Sequence, residues 1–239
     1  MILLKNLNSK LIIKKTDLTK IVFENIKLNN HLYISMIDAV VLQRVIEDQK
    51  YNKLLDSFDV LICDSSLLIF LNNIKFNRKD VGFNGPDLFK ELIIKKEYKQ
   101  LLIGGSELYY NQLVDKSLNE NLRYLDVGFH QNAKDFDYEG IESYVINNNI
   151  QILWVMLGNP KQDYVLDILK SRGNINCTVI SSGAAYLFYL NIIKTKEINF
   201  FGLKLFWLSR IINNPKIQLL RVGSALLNTP KYIKLLTKI

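Results

Sequence analysis

A chain of 239 residues with 49% hydrophobic and 23% charged side chains can bury a full core, which excludes wholesale disorder and allows one large domain or a domain with an appendage. Two cysteines, Cys63 and Cys177, exclude a disulfide framework and fit a reducing compartment. The net charge of +8 sits in residues 194–239, where nine Lys and Arg side chains oppose Glu197 alone (9 − 1 = +8), so the rest of the chain is near neutral.

In chain order, residues 1–15 read as one or two short strands. Met1-Ile2-Leu3-Leu4-Lys5-Asn6-Leu7 lacks a long apolar region and a small-residue cleavage site, so no signal peptide and a cytoplasmic location are expected. Thr16 to Leu28 reads as a helix opened by Thr16 or Asp17, His31 to Ile37 as a strand, and Asp38 to Lys50 as a helix. Val60-Leu61-Ile62-Cys63 is a buried strand ending in a carboxylate, Asp64; a helix from Ser65 to Asn72 and a basic loop from Lys75 to Lys79 follow. Asn84-Gly85-Pro86-Asp87 starts another helix, with Pro at the first position and Asp beside the positive end of the helix.

Strands recur near 101–104, 123–127, 151–157 and 176–181. Leu101 to Ile103 runs into Gly104-Gly105-Ser106, and Thr178 to Ile180 into Ser181-Ser182-Gly183. The most informative exit is Gln151-Ile-Leu-Trp-Val-Met-Leu157 running into Gly158-Asn159-Pro160-Lys161-Gln162-Asp163. Gly158 permits a sharp turn, Asn159 is a good N-cap and Pro160 fits the first helical position, while Trp154 reads as core. Four apolar strands ending in glycines or a carboxylate, with helices between them, predict a parallel sheet covered on both faces. Ligands of such sheets bind at the carboxyl ends of the strands, and the N–H groups of a helix start favour an anion such as phosphate.

Gly173 to Ile193 carries no charge, but the Ser181-Ser182-Gly183 break divides it into strand, loop and buried helix, not a bilayer span. The basic segment from Lys194 onward also holds Phe200, Phe201, Phe206 and Trp207. That is the composition of an amphipathic segment lying on an anionic membrane surface; nucleic acid is a poorer partner, because phosphate-binding surfaces rarely carry so much Phe, Leu and Ile. No repeat, low-complexity linker or zinc pattern is present.

Asp64 after its strand, Asn84-Gly85-Pro86-Asp87, Gly104-Gly105, Gly128-Phe129-His130, Gly158-Asn159-Pro160-Lys161-Gln162-Asp163 and Trp207-Leu208-Ser209-Arg210, in this order, resemble the TagA/WecG/CpsF family of bacterial glycosyltransferases. The resemblance spans roughly residues 10–235. It implies a Rossmann-like α/β core over 1–193 and a C-terminal helical, membrane-associating appendage over 194–239. It also implies metal-independent, cofactor-free transfer of a sugar from a UDP donor to a polyprenyl-diphosphate-linked acceptor at the inner face of the cell membrane, and homo-oligomers of the core.

Carried over residue by residue, the resemblance makes Asp64 the base that deprotonates the acceptor hydroxyl, and Arg210 and Arg221 the cations that close over the leaving diphosphate. Pro215 lies between the two arginines, so their convergence requires a hairpin. The family's glycine-proline-arginine-glutamine-glutamate loop is matched by Gly158, Pro160, Lys161, Gln162 and Asp163. Asp38, Asn84, Asp87, Gly104, Gly105, His130 and Gly183 complete the expected substrate-binding set. On dipole grounds Asp87 reads better as a helix-terminus charge than as a catalyst, and for Asp64 the alternative to catalysis, which is the favoured reading, is a helix N-cap.

Departures stand beside the matches. Ser65 and Ser66 replace the family's glycines after the catalytic Asp, Met36-Ile37-Asp38 replaces Thr-x-Asn, and Leu187 stands where a further Asp is expected. They leave open a catalytically inactive relative that binds nucleotide-sugar or lipid as an assembly partner. A Rossmann oxidoreductase is disfavoured, because no Gly-x-Gly-x-x-Gly follows the first strand.

Overall fold

The computed structural model describes residues 11–12, 15–28, 30–65, 69, 84–194, 199–200 and 203–204. Seven parallel strands form one sheet in the order β1-β3-β2-β7-β6-β4-β5: β1 (Leu11–Ile12), β2 (Leu32–Ile37), β3 (Val60–Cys63), β4 (Gln100–Ile103), β5 (Leu122–Leu125), β6 (Ile152–Val155) and β7 (Thr178–Ser181). The helices are α1 (Lys15–Lys27), α2 (Ala39–Glu47), α3 (Gln49–Asp56), α4 (Gly85–Ile93), α5 (Glu107–Ser117), α6 (Tyr138–Asn147), α7 (Lys161–Arg172) and α8 (Ala185–Tyr189). The expected α/β sheet covered on both faces is what the chain forms.

The strands are apolar on both faces because both faces are covered, as parallel sheets require. Tyr33, Ile37, Leu61, Leu101, Leu153 and Val179 point to one face and pack with α2, α3, α6 and α7. Their neighbours Ile34, Met36, Ile62, Leu102, Trp154 and Ile180 point to the other and pack with α1, α4, α5 and α8. Trp154 is core, as expected; its indole N–H donates to Oε1 of buried Gln100 at 2.9 Å, and its ring meets Phe89 edge-on at 4.8 Å.

Helix placement follows the order of the strands. Steps from β2 to β3, β5 to β6 and β6 to β7 run in one direction along the sheet, and their helices lie on the first face. Steps from β1 to β2, β3 to β4 and β4 to β5 run the other way, with helices on the second face. One hand of crossover satisfies all six. The neighbouring pairs β2/β3 and β6/β4 therefore send their following helices to opposite faces, which opens a crevice at their carboxyl ends.

Three helix expectations need correction. The helix expected over Asp38 to Lys50 is two helices, broken at Asp48, whose backbone is extended (φ −122°, ψ 105°) and whose carboxylate accepts the N–H groups of Lys50 and Tyr51. An N-capping Asp starts α3 more effectively than it continues α2. The helix after Gly158 begins one residue later than expected: Pro160 is the cap residue and Lys161 the first helical one. Pro86, read as the first residue of its helix, is the second, after Gly85.

The uncharged stretch 173–193 divides into β7 and the five-residue α8, and among the described residues no helix is long and apolar enough to cross a membrane. In the segment read as a helical appendage, β8 (Asn199–Phe200) and β9 (Leu203–Lys204) pair antiparallel, so helix does not extend over these residues. The expected helix over 65–72, apart from Ser65 and Ile69, the loop 75–79 and the rest of the segment beyond Lys194 lie outside the described residues.

Candidate active site

The two carboxylates expected at strand exits are neighbours. Ile37 of β2 is in register with Cys63 of β3, and the N–H of Asp64 donates to the carbonyl of Ile37 at 2.9 Å, so Asp38 and Asp64 leave the sheet side by side at the β2/β3 crevice. Each is oriented by a helix start. Asp38 Oδ1 accepts the N–H of Val41 at 2.8 Å, capping α2; Asp64 Oδ1 accepts the N–H of Gly85, the first residue of α4, at 3.1 Å. Asn84 Oδ1 accepts the N–H of Asp87 at 2.9 Å, so Asp64 and Asn84 share the donors of one helix start. Asp64 remains partly exposed, with Oδ2 about as close to Gly85 as the buried Met36 thioether is: 3.7 and 3.6 Å from where a Gly85 Cβ would stand.

At the β6/β4 crevice, Gly104 has φ +85°, and a Cβ there would lie 2.8 Å from the carbonyl oxygen of Met156. Only glycine lets the two exits close to this distance. Gly158 (φ +75°) is the contrary case, since a Cβ there would meet none of the described residues within 4 Å. Its carbonyl accepts the N–H of Gln162 at 3.0 Å. Gly105 faces the ring of Tyr186, and Gly183 lies 3.5 Å, measured from its would-be Cβ, from Oε1 of Gln162.

Gln162 is 2% exposed. Its amide N–H₂ donates to Asn159 Oδ1 at 2.8 Å, so Asn159 orients a side chain where an N-cap role was expected. Among the described residues, Gln162 Oε1 and the hydroxyl oxygen of buried Ser182 have no hydrogen-bond partner. Buried polar atoms left in this state mark a place where a ligand or water completes the bonding.

Asp163 is placed differently from the rest of its loop. It is fully buried, with Oδ1 accepting from the Ser35 hydroxyl at 2.7 Å and Oδ2 from the Tyr51 hydroxyl at 2.5 Å, while the Ser181 hydroxyl donates to Ser35 Oγ at 3.3 Å. Burial pushes its carboxyl up to about 6; the hydroxyl donors oppose that rise, and Asp38 adds to it. The same carboxylate helps drive the Tyr51 hydroxyl well above the ordinary tyrosine value, after burial as the larger cause.

Lys161 and His130 are brought together. The Lys161 ammonium donates to the carbonyl of His130 at 2.5 Å and lies 4.9 Å from the centre of the Phe129 ring, which is 90% exposed. The His130 ring packs edge-on against Phe136 at 4.8 Å. Arg210 and Arg221 lie outside the described residues.

Sequence reasoning missed Ser35, Tyr51, Ser181 and Ser182. A signal for one of them existed, since Ser35 is the polar residue in the otherwise apolar, wholly buried strand Leu32–Ile37. Nothing in the local pattern marked Tyr51, whose partner is 112 residues away. Among the described residues no group of three or more His, Cys, Asp or Glu side chains is placed to hold a metal ion.

Set beside known proteins, the chain is matched over residues 9–238 by the model of a family described as the glycosyl transferase WecG/TagA/CpsF family. No curated protein matches it.

Proposed function

The chain belongs to the WecG/TagA/CpsF glycosyltransferase family, and we propose that it is an inverting transferase acting in cell-surface polysaccharide synthesis. Its donor is a UDP-sugar carrying N-acetylmannosamine, its uronic acid or a related hexose, and its acceptor is a polyprenyl-diphosphate-linked sugar. The observation that carries this reading is the family match over nearly the whole chain, together with a partly exposed carboxylate, Asp64, at a switch point of the sheet.

In this reading Asp64 takes the proton of the acceptor hydroxyl as it attacks the anomeric carbon, with the Gly85 N–H fixing the carboxylate's orientation. The C–O bond to the diphosphate breaks as the new glycosidic bond forms, and UDP departs with the electron pair. Its charge is met by the positive end of the α7 dipole, by Lys161 once it leaves the His130 carbonyl, and by Arg210 and Arg221 of the basic segment. Gln162 Oε1 and Ser182 Oγ, unpartnered beside Gly183, accept or share hydrogen bonds with donor hydroxyl or N–H groups. The transfer needs no metal in this reading, and residues 194–239 hold the enzyme on the anionic inner face of the membrane. A screen of UDP-sugars by thermal stabilisation tests the donor class, since a ligand at 100 times its Kd adds about 2.7 kcal/mol.

One observation favours a second reading. The side chain of Met36, where relatives in the resemblance carry a hydroxyl, packs beside Gly85 and Asp64. A catalytically inactive member that binds nucleotide-sugar or lipid as an assembly partner would be stabilised by UDP-sugars and transfer nothing.

A further inference from the structure

We propose that Asp163 is a positioning residue: a buried carboxylate that ties the 158–162 loop to β2 and α3, and so sets where Lys161 and Gln162 stand relative to Asp38 and Asp64. The proposal rests on the reading of this crevice as a nucleotide-sugar site, and it removes Asp163 from the set that touches substrate.

Asp163 sits in the first turn of α7, directly after Gln162, but its carboxylate turns into the core. Donors from two separate elements converge on it, the Ser35 hydroxyl from β2 and the Tyr51 hydroxyl from α3, with the Ser181 hydroxyl of β7 bonded to Ser35 behind them. These elements also carry the crevice walls: β2 runs into Asp38, α3 follows α2, which Asp38 caps, and β7 runs into Ser182 and Gly183. One carboxylate thus fastens the loop start to both neighbouring exits.

A side chain that only filled this volume would be apolar, because a buried ionised carboxylate costs desolvation that its hydrogen bonds seldom more than repay. What the carboxylate supplies is geometry. Two acceptor oxygens met by two hydroxyls from different elements fix the depth and rotation of the first turn of α7, and the next residue outward is Gln162, with its unpartnered Oε1 at Gly183. Displacing such a binding group by about 1 Å costs up to about a hundredfold in rate.

The test compares the full chain with Asp163→Asn, Tyr51→Phe and the double variant, using UDP titration and ligand-free hydrogen exchange of the peptide covering residues 158–166, well below each melting temperature. We expect each single variant to weaken UDP binding about tenfold or more and to speed exchange at the Gln162 and Asp163 amides. The double variant should be little worse than the more impaired single one, because both break the same link. Lower melting temperatures with unchanged UDP affinity and unchanged exchange would reduce Asp163 to ordinary core and overturn the proposal. The Tyr51 hydroxyl donates to Asp163 from α3, so if Asp163→Asn fails to fold, Tyr51→Phe decides alone. If the parent does not bind UDP, the nucleotide-sugar reading falls; the exchange measurement then still decides whether Asp163 holds the loop.

Discussion

The N–H of Gly85 donates to Oδ1 of Asp64 at 3.1 Å, joining the exit of β3 to the start of α4 across 21 residues of chain. The bond orients the partly exposed Asp64 carboxylate at the carboxyl edge of the β2/β3 crevice. In the proposed mechanism this bond to the start of α4, whose N-cap is Asn84, is what aims the base.

Stability should depend on pH through Asp163. Burial pushes its carboxyl up to about 6, so the folded state holds this proton more tightly than the unfolded chain does. The contribution is most favourable below the unfolded value and is lost as pH rises through about 6. Asp163→Asn does not titrate there. Its stability relative to the parent should improve by on the order of 2 kcal/mol between pH 4.5 and 7.5, on top of a constant loss from altered hydrogen bonds. Urea unfolding of both proteins at the two pH values checks this; a gap that does not move with pH contradicts it.

Gly104→Ala should destabilise the fold by roughly 2 kcal/mol or more, because the new Cβ would meet the Met156 carbonyl at 2.8 Å in a backbone conformation that L side chains rarely adopt. Gly158→Ala should cost less, since its Cβ would meet none of the described residues within 4 Å. A melting comparison in which Gly158→Ala is the more damaging of the two would contradict the packing described at β4 and β6.

The sheet was legible because four of its strands are short apolar runs ending in glycines or a carboxylate, a pattern that depends only on neighbouring residues. The pairing of Asp38 with Asp64 was legible for the same reason, both being strand exits. What could not be read was long-range. Tyr51 and Ser35 find Asp163 only after three elements have packed, and Asp163, expected among the substrate-binding residues of its loop, is turned inward by those partners. Asp48 was misread because an Asp inside an amphipathic pattern costs a helix little, yet as a cap it starts a new one.

Sugar transfer should survive EDTA, because in the proposed mechanism the leaving diphosphate is met by the positive end of a helix dipole and cationic side chains. A rate that EDTA abolishes and magnesium or manganese restores would contradict this part of the account.

A truncation ending near Lys194 should lose binding to anionic vesicles and lose transfer to a lipid-linked acceptor while keeping the core fold. All of the net charge lies beyond that point, at about 1 kcal/mol per basic residue near such a surface. Arg221→Ala should keep vesicle binding and lose turnover. Equal vesicle affinity for truncated and full-length protein in a flotation assay would refute the membrane role.

The central claim, a glycosyl transfer that uses Asp64 as its base, is tested most directly by following sugar transfer from a panel of UDP-sugars to a polyprenyl-diphosphate-linked sugar with the parent and with Asp64→Asn. The account predicts turnover by the parent with at least one donor, a loss of about 100-fold or more in Asp64→Asn, and UDP binding nearly unchanged in the variant. Equal rates for the two proteins would remove Asp64 from the mechanism, and a parent that binds UDP-sugars yet transfers none would contradict the claim of catalysis itself.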